Sequence, residues 1–340
     1  SGRHLFFQFW HNAGCNQYPN FLRKWRRGRS GDAVRQEADG QQRVVTACSG
    51  ATPSGGRAGS GIDSLAGADF GLQEGTVPWS AKRARTVDFR RPITKGPGKL
   101  NSFAGKTYWL IGASEGMGRE LAKQLSSQGA HLILSARTAD RLEDLCSNLP
   151  NARPLPVDVT DAKAVQHAFD EIAHLDGVIY NAGAYDPMAA TDWDDAAALT
   201  ICDVNFTGAL RVLGHVVPRF VAQGSGDITL IGSLAGYHGL PSAIGYGASK
   251  AALISLAESM RFDLRDTGVL VRIVNPGFIR TRLTAKNSFG MPMLMTADEA
   301  AHRVMKAMHK RRFRTDFPVP FSWAIRALPF MPDWLIYRGR

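Results

Sequence analysis

Residues 106–118 read KTYWLIGASEGMG. A short apolar run stops at Gly112, and Gly116 and Gly118 complete a G-x-x-x-G-x-G spacing. GRELAKQLSSQG, residues 118–129, then places apolar residues at helical intervals. The order is strand, glycine turn, helix. Glycine allows a tight turn and a close approach of the backbone to a pyrophosphate. The helix N-terminus adds free N–H groups and a dipole that favours an anion. A plain strand-to-helix turn also uses glycine, so the surrounding chain has to decide between the two.

The pattern continues outward. AHLILSAR (130–137), ARPLPVDVTD (152–161), DGVIYNAG (176–183), GDITLIGSLAG (226–236) and VLVRIVNPG (269–277) are further strand-like runs. ADRLEDLCSNL, AKAVQHAFDEIAHL and other helical patterns separate them. Strands alternating with helices predict right-handed crossovers and a parallel sheet covered on both faces. The expected fold is α/β, a Rossmann-type doubly wound sheet forming a single catalytic domain over 101–300. Ligands of such sheets bind at the carboxyl ends of the strands.

The second informative stretch is YGASK, Tyr246 to Lys250. The run after it, AALISLAESMRFDLRDTG, has helical periodicity and ends at Gly268. On a helix, positions i and i+4 share a face, so the phenol and the ammonium become neighbours. A lone Y-x-x-x-K occurs by chance in many helices and needs support from elsewhere.

That support lies in four other places. Asn181–Gly183 spell NAG, Asn205 stands in DVNFTG, Ser233 precedes Tyr246 by thirteen residues, and NPGFIRT spans Asn275–Thr281. Together with the glycine turn and the Tyr246/Lys250 pair, these resemble the short-chain dehydrogenase/reductase family over most of residues 105–285. The resemblance implies an oxidoreductase that interconverts an alcohol and a carbonyl. Its catalytic set would be Asn205, Ser233, Tyr246 and Lys250. The phenol of Tyr246 would give a proton to the carbonyl oxygen as hydride reaches the carbon. A tyrosine pKa near 10 is high for that work, and a nearby ammonium favours the phenolate. Lys250 is placed to act so, and the resemblance also has it hold the nicotinamide ribose. Ser233 would orient the substrate oxygen, and Asn205 would hold a water in a proton relay. Small residues at 247–249 leave room for the cofactor. The alternative is a sensor or scaffold of the same fold without turnover; it has no need of all four residues.

The same resemblance implies cofactor contacts at Gly112, Ser114, Gly116, Met117, Gly118, Asn181 and Gly183. Asp158 and Val159 would touch the adenine. Gly277, Ile279 and Thr281 would seat the carboxamide, and Tyr246 and Lys250 the ribose. The end of the second strand, LSARTADR, has no acid before Asp140 and offers Arg137. An acid there binds the 2′-OH of NAD, whereas a guanidinium suits a 2′-phosphate. The expected cofactor is therefore NADP rather than NAD. Glu115 departs from this pattern, because NADP-using relatives often carry a basic residue there and an acid repels phosphate.

The substrate is expected to be a small apolar carbonyl or alcohol. TRLTAKNSFGMPMLMT, residues 281–296, falls where the family has its mobile substrate loop. Met291, Met293 and Met295 give it an adaptable apolar surface. His238 is expected to line the pocket mouth. Residues 301–340 read as an amphipathic helix with a basic end, followed by an aromatic and proline-rich tail. Three readings of the tail stay open: a flap over the site, an oligomer contact, and a peripheral membrane anchor.

Charge separates the first hundred residues from the rest. They hold 16 Lys+Arg against 7 Asp+Glu, a net of +9, while residues 101–340 hold 25 against 23, a net of +2. SGATPSGGRAGSGIDSLAGADFG has few large apolar groups, so residues 1–100 are expected to be a disordered or non-domain extension. FLRKWRRGR reads as a solvated run, and no nucleic-acid partner is expected. HLFFQFW is too short for a secretory core or a membrane span. The four cysteines form no C-x-x-C pair and no His/Cys cluster, so no metal is expected, and reduced thiols in the cytoplasm are the default. A homo-oligomer is expected.

Overall fold

The computed structural model describes residues 102–287 and 289–336. The expectations for residues 1–100, including Cys15 and Cys48, lie outside the described residues. Seven parallel strands make one sheet in the order β3-β2-β1-β4-β5-β6-β7. They are β1 (Thr107–Ile111), β2 (His131–Ser135), β3 (Ala152–Pro154), β4 (Gly177–Tyr180), β5 (Gly226–Ile231), β6 (Val269–Pro276) and β7 (Arg314–Phe317). The strand order reverses between β1 and β4, which opens a crevice at their carboxyl ends.

Both faces of the sheet are buried, as a fully covered parallel sheet requires. Trp109, Ile111, Val178, Ile228 and Ile273 face one layer. That layer is closed by α3 (Ala162–Asp170), α5 (Gly208–Gln223) and α6 (Ile244–Asp263). The alternate residues Tyr108, Leu110, Ile179 and Val274 face the other. There α1 (Gly116–Ser127), α2 (Ala139–Ser147) and α7 (Ala297–Met308) cover them. The doubly wound α/β expectation holds on both faces. Between α4 (Asp195–Cys202) and α5 the helix widens into a π turn, Asp203–Thr207.

The domain was expected to end at 300, but the sheet extends further. α7 packs on α1, and β7 extends the sheet along β6, pairing Ile273 with Arg314 and Pro276 with Phe317. RTDF, residues 314–317, falls in the stretch that reads from sequence as the basic end of a helix, because four residues are too few to show a strand period and three of them are polar. Edge pairing to β6 overrides that local pattern. Near the amino ends of the strands, the Arg272 guanidinium forms a buried pair with Asp227, and its Nε donates to the Lys310 carbonyl at 2.9 Å. α8 (Phe321–Ala327) follows β7 and packs against the turn Leu234–Gly236.

Candidate active site

The glycine turn holds its shape through two residues with left-handed backbone, Gly112 and Gly116. Gly112 has φ +88°, and a Cβ on it would come within 2.5 Å of the Ala182 nitrogen. Asn181 donates from Nδ2 to the Gly112 carbonyl at 2.7 Å. A Cβ on Gly118 would meet that same carbonyl oxygen at 2.0 Å. The turn after β1 and the NAG stretch after β4 are therefore one closely fitted unit. Within it, Ser114 is half-buried and Met117 buried. α1 starts without a side-chain cap and without an acid in its first turn. Its N–H groups are left to an outside anion, so the residues present fit a pyrophosphate.

Glu115 resolves the conflict that its charge posed. It stands at the N-cap of α1, and its carboxylate pairs with Arg141 of α2 and with Arg282, the latter at 2.9 Å. The acid is neutralised by two guanidiniums rather than left facing a phosphate. Arg137 lies exposed just past β2 and makes no ion pair among the described residues. At the end of β3, the Asp158 carboxylate accepts from the N–H and hydroxyl of Thr160, at 2.9 and 2.7 Å. Val159 is buried and accepts from Arg211 through its carbonyl.

The Tyr246/Lys250 pair lies on α6, one turn apart as the spacing predicts. Tyr246 is half-buried, with its phenol beside Ser233, which stands just beyond β5 and accepts from the Ala235 N–H at 3.1 Å. Lys250 is buried; its Nζ donates to the Ile231 carbonyl at 2.9 Å and lies 5.7 Å from the Tyr246 ring centre. The expected depression of the tyrosine pKa is not what this geometry produces. Desolvation raises it, against a smaller lowering from Ser233 and a further raising by Tyr185. The ammonium is aimed at a backbone carbonyl instead of the phenol oxygen. Burial in turn pulls Lys250 down to about 8.

Asn205 sits fully buried in the π turn. Its Oδ1 accepts from the Ala184 N–H at 2.7 Å, and its Nδ2 donates to the Ala184 carbonyl and to Ser249 Oγ, each at 3.0 Å. The side chain that was expected to hold a water is thus taken up by protein groups. It fixes the loop after β4, where a Cβ on Gly183 would lie 3.5 Å from Asn205 Oδ1 and 3.8 Å from Lys250 Nζ. The small residues at 247–249 also have other reasons than room for a cofactor. Gly247 is buried with the Ala235 carbonyl 3.3 Å from where its Cβ would be, and Ser249 is buried toward Asn205. Only Ala248 of the three is exposed.

Beyond β6, the Gly277 N–H is bonded to the Phe317 carbonyl at 2.7 Å and so is not free for a carboxamide. Ile279 is buried, its carbonyl accepting from the Thr284 hydroxyl. Thr281 leans on the glycine turn, its Cγ2 lying 3.0 Å from where a Gly116 Cβ would be. Phe278 packs between Phe289 of the substrate loop and Phe321 of α8, with ring centres 5.9 and 5.8 Å apart. Tyr185 meets Tyr246 edge-on at 5.0 Å and donates to Asn287 in the same loop at 2.6 Å. His238 is half-buried, and its Nε2 is buried with no hydrogen-bond partner. Asp316 ties β7 to the Ser233 turn, accepting from Tyr237 at 2.7 Å, from Asn275 at 2.8 Å and from Arg326 at 3.2 Å. Sequence reasoning missed Arg141, Tyr185, Ser249 and Phe278 as parts of this site. Ser249, Arg141 and Phe278 stood inside the quoted YGASK, LSARTADR and NPGFIRT without a spacing that marked them, and Tyr185 stood in none of the quoted stretches. Among the described residues no group of three His, Cys, Asp or Glu could hold a metal ion.

Comparison with known proteins agrees with this architecture. A family model described as short chain dehydrogenase matches residues 106–290. An uncharacterized oxidoreductase of Myxococcus xanthus is 37% identical over 228 residues, covering 65% of this chain and 88% of that one. A dehydrogenase/reductase of Xenopus laevis, SDR family member 7B, is 30% identical over 228 residues, covering 60% of this chain and 71% of its own. Among solved structures, a short-chain dehydrogenase from Sphingobium yanoikuyae in complex with NADPH superposes with a TM-score of 0.61 at 27% identity, over 69% of this chain and 96% of that one. The chain belongs to the short-chain dehydrogenase family and is an NAD(P)-dependent oxidoreductase of that type.

Proposed function

We propose that this oxidoreductase uses NADP to interconvert an alcohol and a carbonyl on a small apolar molecule, with Tyr246 as general acid and base. The observation that carries the reading is the half-buried phenol beside Ser233, with Lys250 one turn away on the same helix. The nicotinamide, when bound, supplies or accepts the hydride. In the reducing direction Tyr246 gives its proton to the substrate oxygen as the carbon takes the hydride, and an alcohol and the oxidised cofactor result. Ser233 donates to the same oxygen and aligns it. Lys250 holds the ribose and returns a proton to Tyr246. Asn205 acts as a positioning residue, through Ser249 and the loop that carries Gly183.

The preference for NADP is supported by Arg137 at the end of β2 and by the absence of an acid there. The NADPH bound to the Sphingobium relative agrees with it. An apolar substrate is supported by the aromatic wall of Phe278, Phe289 and Phe321. In this reading α8 is the flap over the site, because Phe321 stacks on Phe278 and α8 packs on the Ser233 turn. The oligomer and the cytoplasmic location expected from sequence belong to the same proposal. The deciding experiment is a screen of apolar aldehydes and ketones for NADPH oxidation, with Tyr246→Phe alongside. Turnover by the parent that vanishes in the variant supports the reading. Cofactor binding without turnover on any carbonyl would point to a sensor instead.

A further inference from the structure

Glu115 occupies an unusual place. Its two carboxylate oxygens take different arginines, Arg141 on Oε1 and Arg282 on Oε2. Arg141 lies on α2, four residues beyond Arg137, at the corner where a 2′-phosphate would be recognised. Arg282 opens the substrate loop directly after Thr281, which rests on the glycine turn. The loop is fastened again further on, by Asn287 to Tyr185 and by Lys286 to Asp186. One carboxylate at the head of α1 therefore joins the ribose corner of the cofactor site to the start of the loop that covers the substrate.

Two cations on one carboxylate also repel each other. When one leaves, that repulsion is lost and the other is held more strongly. We propose that Glu115 is a positioning residue that latches the substrate loop through Arg282, and that a 2′-phosphate strengthens the latch by drawing Arg141 away. The loop then closes more firmly over the phosphorylated cofactor than over its unphosphorylated counterpart. Cofactor choice and substrate-loop closure are linked through this one side chain. The inference rests on the NADP reading above.

All three side chains are partly exposed, at 34% for Glu115, 50% for Arg141 and 72% for Arg282. The effect is accordingly sized as a surface ion pair, about two- to fivefold in a loop-opening equilibrium. The experiment is limited trypsin digestion, read at Lys286, of the whole chain under saturating NADPH or saturating NADH. Binding of both cofactors is measured separately by fluorescence. In the parent, NADPH is expected to protect about two- to fivefold better than NADH. Glu115→Gln and Arg282→Ala abolish the difference, and Arg282→Lys restores it. Arg141→Ala raises protection by NADH to the level given by NADPH. If Glu115→Gln keeps the full difference while binding NADPH like the parent, the latch is overturned and the NADP reading stands. If NADPH does not bind the parent, the NADP reading fails and the latch with it.

Discussion

A phenol that is to hand its proton to a carbonyl has to keep that proton until the hydride arrives. Burial does this for Tyr246, raising its pKa by desolvation. Tyr246→Phe removes only the acid and leaves the packing, so it should keep cofactor affinity and melting temperature while losing about 10²–10⁴-fold in turnover. Steady-state kinetics beside a thermal melt check this, and turnover within a few-fold of the parent refutes the mechanism. Lys250 shifts the other way, from 10.5 to about 8, because its ammonium is desolvated. Between those two pH values the unfolded chain binds more protons than the folded one, so stability from this group rises with pH over that window. Below pH 8 the full desolvation cost is present. Lys250→Met should flatten the gain in urea midpoint that the parent shows from pH 8 to pH 10. Equal slopes in the two proteins would mean that the lysine is not desolvated in the fold. Arg137→Ala should weaken NADPH by more than tenfold, roughly 1.5–3 kcal/mol for a charge-assisted contact, and leave NADH nearly unchanged. Titration with each cofactor decides that.

At the scale of elements, two packing units make separate predictions. β5 and β6 carry the buried Asp227–Arg272 pair, with Arg272 held further by Lys310 before β7. Removing one member strands a buried charge, at a cost of about 3–5 kcal/mol. Asp227→Ala should lower the unfolding free energy from urea denaturation by that amount, and a change near zero would show that the pair is solvated. α8 offers the second case. Phe321 stacks on Phe278, whereas Trp323 on the same helix is 66% exposed. Phe321→Ala should raise KM for bulky apolar carbonyls, and Trp323→Ala should not. The same KM in both variants would remove α8 from the substrate wall.

For the whole molecule, every named site residue from Gly112 to Thr281 lies on the sheet-bearing part of the chain. A chain shortened to residues 102–340 should therefore keep the melting temperature, cofactor affinity and turnover of the parent. Loss of any of these would give residues 1–101 a role in the fold or the site. The exposed aromatics of the tail are Trp323 on α8 and Phe330 and Trp334 beyond it. An apolar patch of this kind usually marks a contact. The flap reading expects no co-sedimentation of the parent with anionic vesicles. Truncation after residue 327 that converts a dimer to a monomer in sedimentation would assign the patch to an oligomer contact.

The spacing of residues along the chain was enough to determine the alternating strands and helices, the glycine turn, and the one-turn separation of Tyr246 from Lys250. Those features arise from the periods of helix and strand and from the conformational freedom of glycine, which act over a few residues. What needed tertiary structure were the contacts that close across the sheet. β7 reads locally as the end of a helix and becomes a strand only by pairing with β6. Asn205 looked like a water-binding side chain until the π turn brought it against Ala184 and Ser249. Glu115 appeared to oppose a phosphate because its neutralising partner Arg282 is 167 residues away. A charge is felt through the distance and dielectric between side chains, not through their separation in sequence. For that reason the chemistry of Glu115, Asn205 and Lys250 became legible only once the fold had set their neighbours.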